Sequence, residues 1–373
     1  MKGALKTLER GFRNLLLQFL RVVARRRRSV PRHASAAGAK ILFIRQDRIG
    51  DVLVSTPVFS ALKERYPDCT LDIVLSPGNH VVLANSPHIR KRWIYTKAPM
   101  ASLRLLRNIR AERYDFVIDL MDNASATSTV ILLLAGGRWN IGLAKENSYA
   151  CDIAVPLKSR KDSHIVERIA ELLRPLGIDP SKEHLSIKYF IGQDAHDEVN
   201  RFLEATGKNR SALIGVNISA GSDTRFWGIA NYRGLIERMI AGHPDMTVVL
   251  LGKAQDRGRL ADIAAGIGNA IVAPETSFDA FAAWISRFAI LVTPDTSAVH
   301  LAAAFGIPAV VLYVQSNPDL RIWEPYGSPH EAVITTVDDL STIPVQEVHA
   351  AFEKLWLRSR GDALTRDMAR GRA

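Results

Sequence analysis

Residues 39–53 read Ala-Lys-Ile-Leu-Phe-Ile-Arg-Gln-Asp-Arg-Ile-Gly-Asp-Val-Leu, and this stretch decides the fold class. The run Ala39–Arg45 is short, apolar and rich in isoleucine, which marks a strand buried on both faces. Gly50 and Asp51 follow as a turn, and Val52–Tyr66 predicts a helix with Pro57 in its first turns. Strand, turn and helix together open a parallel α/β unit. The alternation continues outward. Thr70–Leu75 predicts a second strand, closed by Pro77 and Gly78, and a helical stretch over Leu103–Glu112 precedes a strand over Tyr114–Leu120. Ser125–Ala135 predicts a helix stopped by Gly136 and Gly137. Trp139–Gly142 predicts a short strand, and His164–Leu176 a helix ending at Gly177.

The pattern then restarts. Leu213–Asn217, Thr247–Leu251, Ile290–Thr293 and Ala309–Tyr313 predict strands. Asn231–Ala241, Gln255–Gly266 and Ser297–Phe305 predict the helices between them. Two successive sets, separated by Lys188–Lys208, imply two doubly wound domains with a hinge near residues 185–195. The division expected is residues 1–37 for an arm and linker, 38–188 and 189–345 for the two domains, and 346–373 for a last helix and basic tail. That helix, read over Val345–Trp356, could return to the first domain. In open parallel sheets ligands bind beyond the carboxyl ends of the strands, and every motif below falls at such a position.

At 373 residues, with 47% hydrophobic and 23% charged residues, the chain suits two globular domains. Two widely spaced cysteines, Cys69 and Cys151, offer neither a disulfide framework nor a zinc spacing, so a reducing cytoplasm is expected. The net charge of +11 is concentrated at one end. Residues 1–33 carry ten basic side chains against Glu9, a net +9, which leaves +2 for the remaining 340 residues. A nucleic-acid-binding face spread over the body is thereby excluded.

Within the arm, Leu5, Leu8, Phe12, Leu15, Leu16, Phe19, Val22 and Val23 recur at steps of three and four, one apolar stripe of a helix. No apolar run is long enough to span a membrane, and no signal-peptide cleavage site follows. An amphipathic helix followed by Arg25–Arg28 suits an anionic membrane surface, where each basic side chain adds about 1 kcal/mol. The alternative is a helix packed on its own protein.

Three motifs carry chemistry. In the first, over residues 45–53, Asp51 reads either as a helix cap or as a general base at the mouth of the sheet. In the second, over residues 217–227, Ser219 and Gly221 can bring backbone N–H groups to an anion. There Arg225 reads either as a phosphate partner or as a solvated side chain. In the third, residues 293–308 read T-P-D-T-S-A-V-H-L-A-A-A-F-G-I-P. A strand ends, Pro294 and Asp295 turn the chain, and a small-residue helix begins with Thr296 and Ser297. The unpaired amides and the dipole of a helix start form a ready phosphate site. His300, one turn inside, can face either ligand or core. Dinucleotide, P-loop, zinc-protease and serine-hydrolase signatures are absent from the sequence.

In this order the motifs resemble glycosyltransferase family 9, the heptosyltransferases of lipopolysaccharide core synthesis. The stretches I-L-F-I-R-Q-D-R-I-G-D-V-L-V-S-T-P-V-F-S-A-L-K, L-L-A-G-G-R-W-N-I-G and D-T-S-A-V-H-L-A-A-A-F-G-I-P-A-V-V-L carry the likeness, which spans about residues 39–345. The resemblance implies a GT-B fold: two Rossmann-like domains about a central cleft, here with an added N-terminal amphipathic helix. It implies an inverting, metal-independent transfer of a heptose or related sugar from an ADP-sugar to a lipid A-core acceptor. The nucleotide sugar is a substrate, and no cofactor is implied. It makes Asp51 the base and puts Arg48, Gly50 and Asn123 on the acceptor side. It assigns the donor to Ser219, Gly221, Arg225, Asp295, Thr296, Ser297 and His300, with Gly252 and Asp256 near the ribose. Two departures stand out. Ser297 replaces a common glycine, and the loop Asp122–Thr129 lacks the basic residue expected to meet an anionic acceptor. The location implied is cytoplasmic, peripheral on the inner face of a bacterial inner membrane. Rival readings are a nucleotide-sugar epimerase of the same architecture and a catalytically silent membrane scaffold.

Overall fold

The computed structural model describes residues 35–208, 212–275, 277–315 and 323–370, together with Gln18, Arg21 and Val22. Apart from those three, the amphipathic arm expected before residue 35 lies outside the described residues. The chain divides into two compact units, Met1–Ser186 and Ile187–Ala373.

The first unit runs β1 (Lys40–Ile44), α1 (Ile49–Leu53), α2 (Thr56–Arg65), β2 (Thr70–Leu75), β3 (Ile89–Ile94), α3 (Pro99–Ala111), β4 (Phe116–Asp119), α4 (Ala126–Leu134), β5 (Trp139–Leu143), β6 (Ile153–Val155) and α5 (Ile165–Ala170). Its six strands are parallel, in the order β3-β2-β1-β4-β5-β6. The apolar run Ile41–Ile44 is fully buried at the centre. The helix expected over Val52–Tyr66 is two helices. Pro57 sits in the first turn of α2, where its missing N–H costs nothing, and the chain breaks just before it.

The second unit runs α6 (Gln193–Ala205), β7 (Ala212–Asn217), α7 (Ile229–Gly242), β8 (Met246–Leu251), α8 (Arg257–Ala264), β9 (Ala270–Val272), α9 (Phe278–Ile285), β10 (Ile290–Pro294), α10 (Ser297–Phe305), β11 (Ala309–Val314), β12 (His330–Thr335) and α11 (Val345–Arg370). Its sheet is also parallel, in the order β12-β11-β10-β7-β8-β9. The stretch read as a plain connection, 188–208, contains α6, whose apolar side packs on α9. The last helix stays with the second unit. Val348, Phe352, Leu355 and Trp356 of α11 enter the core of the second unit, beside Tyr232 and Met239 of α7. Trp227 Nε1 donates to the Ile343 carbonyl at 2.9 Å, pinning the approach to that helix.

Both sheets have the doubly wound order in which the winding reverses beside the first strand. The reversal lies between β1 and β4 in one unit and between β7 and β10 in the other. The first and third motifs extend directly from the carboxyl ends of β1 and β10, and the second from β7.

Candidate functional site

Arg45, the residue after β1, is fully buried. A guanidinium out of water must be paired, and this one is. Its Nη1 donates to the Leu120 carbonyl at 2.6 Å, just beyond β4, and its Nε to the Asp51 carbonyl at 2.9 Å. Its Nη2 lies 3.3 Å from Asp51 Oδ1, and its Nε 3.3 Å from Asp47 Oδ1. One cation therefore ties the two strand ends together at the reversal point and holds two carboxylates there. Asn79 Nδ2 fixes the same turn, donating to the carbonyls of Arg45 at 3.1 Å and Asp47 at 3.3 Å.

Asp51 is not the N-cap. That position belongs to Arg48, whose backbone N–H donates to Asp51 Oδ2 at 3.1 Å, so Asp51 is the acidic residue of the first turn. Its side chain keeps 15% of its surface exposed. Each carboxylate oxygen takes one bond from the protein, which leaves lone pairs for a substrate proton. The Arg48 side chain is exposed. Gly50 lies inside α1 and outside the left-handed region, so the tight turn expected of it is not needed.

Asp47 was not singled out by sequence. Burial raises its pKa to about 6, Asp51 and Asp122 add to the rise, and Arg45 opposes it. A carboxyl poised in that range, next to the expected base, is a signature of a functional site.

The loop after β4 also differs from its reading. Its own sequence has no basic residue between Asp122 and Thr129, yet the fold supplies three. Arg160 Nη2 donates to Asp122 Oδ2 at 3.0 Å and to Asn123 Oδ1 at 2.8 Å. Arg168, almost fully buried, reaches Asp122 Oδ2 at 3.6 Å and donates to the Lys158 carbonyl; burial lowers its pKa. Lys145 lies 2.9 Å from Asp119 Oδ2, with both side chains buried, and also donates to the Met121 carbonyl. Asn123 is thus held by one exposed cation, Arg160, while Lys145 and Arg168 pair with carboxylates beneath it. These three cations come from beyond β5 and β6, so no local motif announces them.

In the second unit Asn217 ends β7 and spans the reversal point. Its Nδ2 donates to Thr293 Oγ1 at 2.9 Å and Thr296 Oγ1 at 3.4 Å, and its Oδ1 accepts from the Ser219 N–H at 3.2 Å. Thr296 caps α10 by accepting from the Ala298 N–H at 3.3 Å. Ser297 is half-buried and Asp295 exposed, so the helix start opens at the surface of this unit. His300 is buried at 4% exposure, its ring 6.1 Å from that of Trp323. His300 is thus enclosed by protein in this unit.

Arg225 keeps 37% of its side chain exposed; its Nη1 donates to the Val314 carbonyl at 3.1 Å, at the end of β11, and its Nη2 to Asp338 at 3.4 Å. Gly221 is exposed, and a methyl group there would meet no protein atom within 4 Å. Gly252 is different: a methyl group would come within 3.0 Å of Leu260 and 3.2 Å of Asp256. Asp256 is buried. Its Oδ2 accepts from Ser219 Oγ at 2.9 Å and the Lys253 N–H at 3.2 Å. Ser219 and Asp256 therefore clamp the loops after β7 and β8 to each other. This clamp sets the shape of the loop expected near the ribose.

Among the described residues, no cluster of histidine, cysteine or carboxylate side chains has the make-up of a metal site. Nor is any helix among them long and apolar enough to cross a membrane.

The sequence pattern of glycosyltransferase family 9 (heptosyltransferase) matches residues 102–349. The lipopolysaccharide heptosyltransferase 3 of Escherichia coli is 25% identical over 334 residues, covering 82% of this chain and 96% of that protein. The crystal structure of a family 9 glycosyl transferase from Veillonella parvula superposes with a TM-score of 0.76 at 19% identity, covering 88% of this chain and all of that one. An E. coli heptosyltransferase solved with ADP-2-deoxy-2-fluoro heptose superposes at 0.69 with 19% identity, covering 84% and 99%.

Proposed function

The chain belongs to glycosyltransferase family 9, and from that premise we propose that it transfers a heptose, with inversion, from an ADP-sugar to the core of lipopolysaccharide. One observation carries the reading: the two units use the same reversal point for opposite charges. The first presents the Asp51 carboxylate beyond β1, and the second presents the positive start of α10 beyond β10.

In this reading the second unit holds the donor. The pyrophosphate lies at the start of α10, against the hydroxyls of Thr296 and Ser297. Arg225 exchanges its weak surface pairing with Asp338 for phosphate oxygens. Asp295 begins the turn, and the Ser219–Asp256 clamp with Gly252 shapes the loops beside the nucleoside. Gly221 leaves the second motif open to the ligand.

The first unit holds the acceptor on the surface around Arg48, Asn123 and Arg160. Asp51 takes the proton from the acceptor hydroxyl as its oxygen attacks the anomeric carbon from the face opposite the nucleotide. Positioned general bases contribute about 10²–10⁴ in rate. Negative charge grows on the departing ADP, and the helix start and Arg225 stabilise it. The basic arm before residue 35 places the enzyme on an anionic membrane, where a lipid-linked acceptor resides.

The test pairs calorimetry with turnover. ADP-heptose is expected to bind more tightly than UDP- or GDP-sugars. Asp51→Asn is expected to retain that binding while losing at least a hundredfold in transfer to a core acceptor. Equal binding of all three nucleotides, or near-normal turnover by the variant, would remove the assignment.

A further inference from the structure

Helix α3 carries a surface that the transferase reading does not use. Met100 and Leu103 project from it at 78% and 64% exposure, and Leu134 at the end of α4 adds 47%. With Leu106, Arg104 and Arg107 they line a groove of about 740 Å³. The positions 100, 103, 104 and 107 fall on one helical face. The stretch 93–111 contains Lys97, Arg104, Arg107 and Arg110 and no acidic residue. Exposed apolar side chains gathered on one helix face and rimmed by cations make a candidate interaction surface.

The geometry points to an anionic lipid bilayer as the occupant: we propose that α3 lies in the membrane interface, with Met100, Leu103 and Leu134 among the acyl chains and Arg104, Arg107 and Arg110 at the headgroups. Charge favours a bilayer over this chain's own arm. The arm is itself strongly basic, at +9 over residues 1–33, so its charge repels this face while an anionic surface attracts both. A helix face that joins exposed apolar side chains to basic ones is what interfacial helices present to a bilayer. The inference rests on the reading that the acceptor is lipid-linked.

The test uses the full-length protein with Leu103→Cys carrying an environment-sensitive dye; Cys69 and Cys151 are buried and do not compete for label. Vesicles of phosphatidylcholine with 30% phosphatidylglycerol are expected to shift the dye emission to the blue, and pure phosphatidylcholine vesicles far less. Arg104→Gln combined with Arg107→Gln is expected to lower partitioning to anionic vesicles by about tenfold or more. No shift at position 103 on anionic vesicles, or unchanged partitioning of the double variant, overturns the proposal. So does a shift that appears with rising protein concentration and no lipid, which would make the face an interface between copies. Transfer to a detergent-dispersed acceptor, measured on the same labelled protein, separates the two readings. Transfer without a dye shift rejects only the membrane face, and a shift without transfer rejects only the transferase.

Discussion

At the scale of single residues, the first motif shows what a contiguous pattern reveals and what it hides. Asp51 was legible because its neighbours in sequence are its neighbours in space. Arg45 and Asp47 were on the page too, but their importance depends on Leu120 and Asp122 arriving from β4. Lys145, Arg160 and Arg168 were invisible for the same reason, since each meets its partner across 26 to 46 residues of chain. The Asp47 carboxyl yields a prediction with a definite sign. Its pKa is raised from 3.8 to about 6, so the folded protein binds more protons than the unfolded chain between those values. Stability contributed at low pH is therefore lost as pH rises through that window. Asp47→Asn removes this penalty. The variant is expected to be more stable than the parent at pH 7.5 by about 1–3 kcal/mol, with the difference vanishing near pH 4. Urea denaturation at the two pH values measures it. A variant equally destabilised at both would show that pairing with Arg45 outweighs the burial of Asp47.

At the scale of elements, interior strands were readable and edge strands were not. The central strands β1, β2, β7, β8, β10 and β11 are near-continuous apolar runs because helices cover both faces. The edge strand β3 reads Ile-Arg-Lys-Arg-Trp-Ile, with its three cations exposed, and looks like a surface loop. Edges are kept charged to discourage pairing with other chains, and this removes the hydrophobic signal. The strands β6 and β9, three residues each, are too short for any periodicity. Within β7 one residue is set by close packing. A methyl group on Gly215 would lie 2.2 Å from the ring of Phe288, which is buried over the strand. Gly215→Ala is therefore expected to destabilise by about 1–3 kcal/mol through overpacking. Phe288→Leu in the same chain should recover part of the loss, giving a favourable coupling between the two sites. Thermal denaturation of the four proteins of the cycle measures it. Strict additivity would mean the strand shifts to accept the methyl group and the ring is not the constraint.

At the scale of the whole molecule, charge and chemistry are unevenly divided. Nearly all the net charge belongs to residues 1–33, while every residue assigned to the donor lies between Ser219 and His300. The second unit also completes its own core. The last helix supplies Val348, Phe352, Leu355 and Trp356 to it, where the sequence alone allowed a return to the first unit. Helical periodicity shows that an apolar face exists but not which partner it covers, so the sequence left that choice open. The packing has a consequence. A fragment of residues 187–373 contains a full six-stranded sheet, its covering helices and all the proposed donor contacts. It is expected to fold with a cooperative thermal transition and to bind ADP within about tenfold of the intact chain, with no transfer activity. In that fragment Arg225→Ala should weaken ADP about tenfold or more, because a charge-assisted phosphate contact contributes roughly 1.5–3 kcal/mol. A folded fragment that does not bind ADP would mean that the first unit completes the nucleotide site, and the separation of donor and acceptor roles between the units would have to be abandoned.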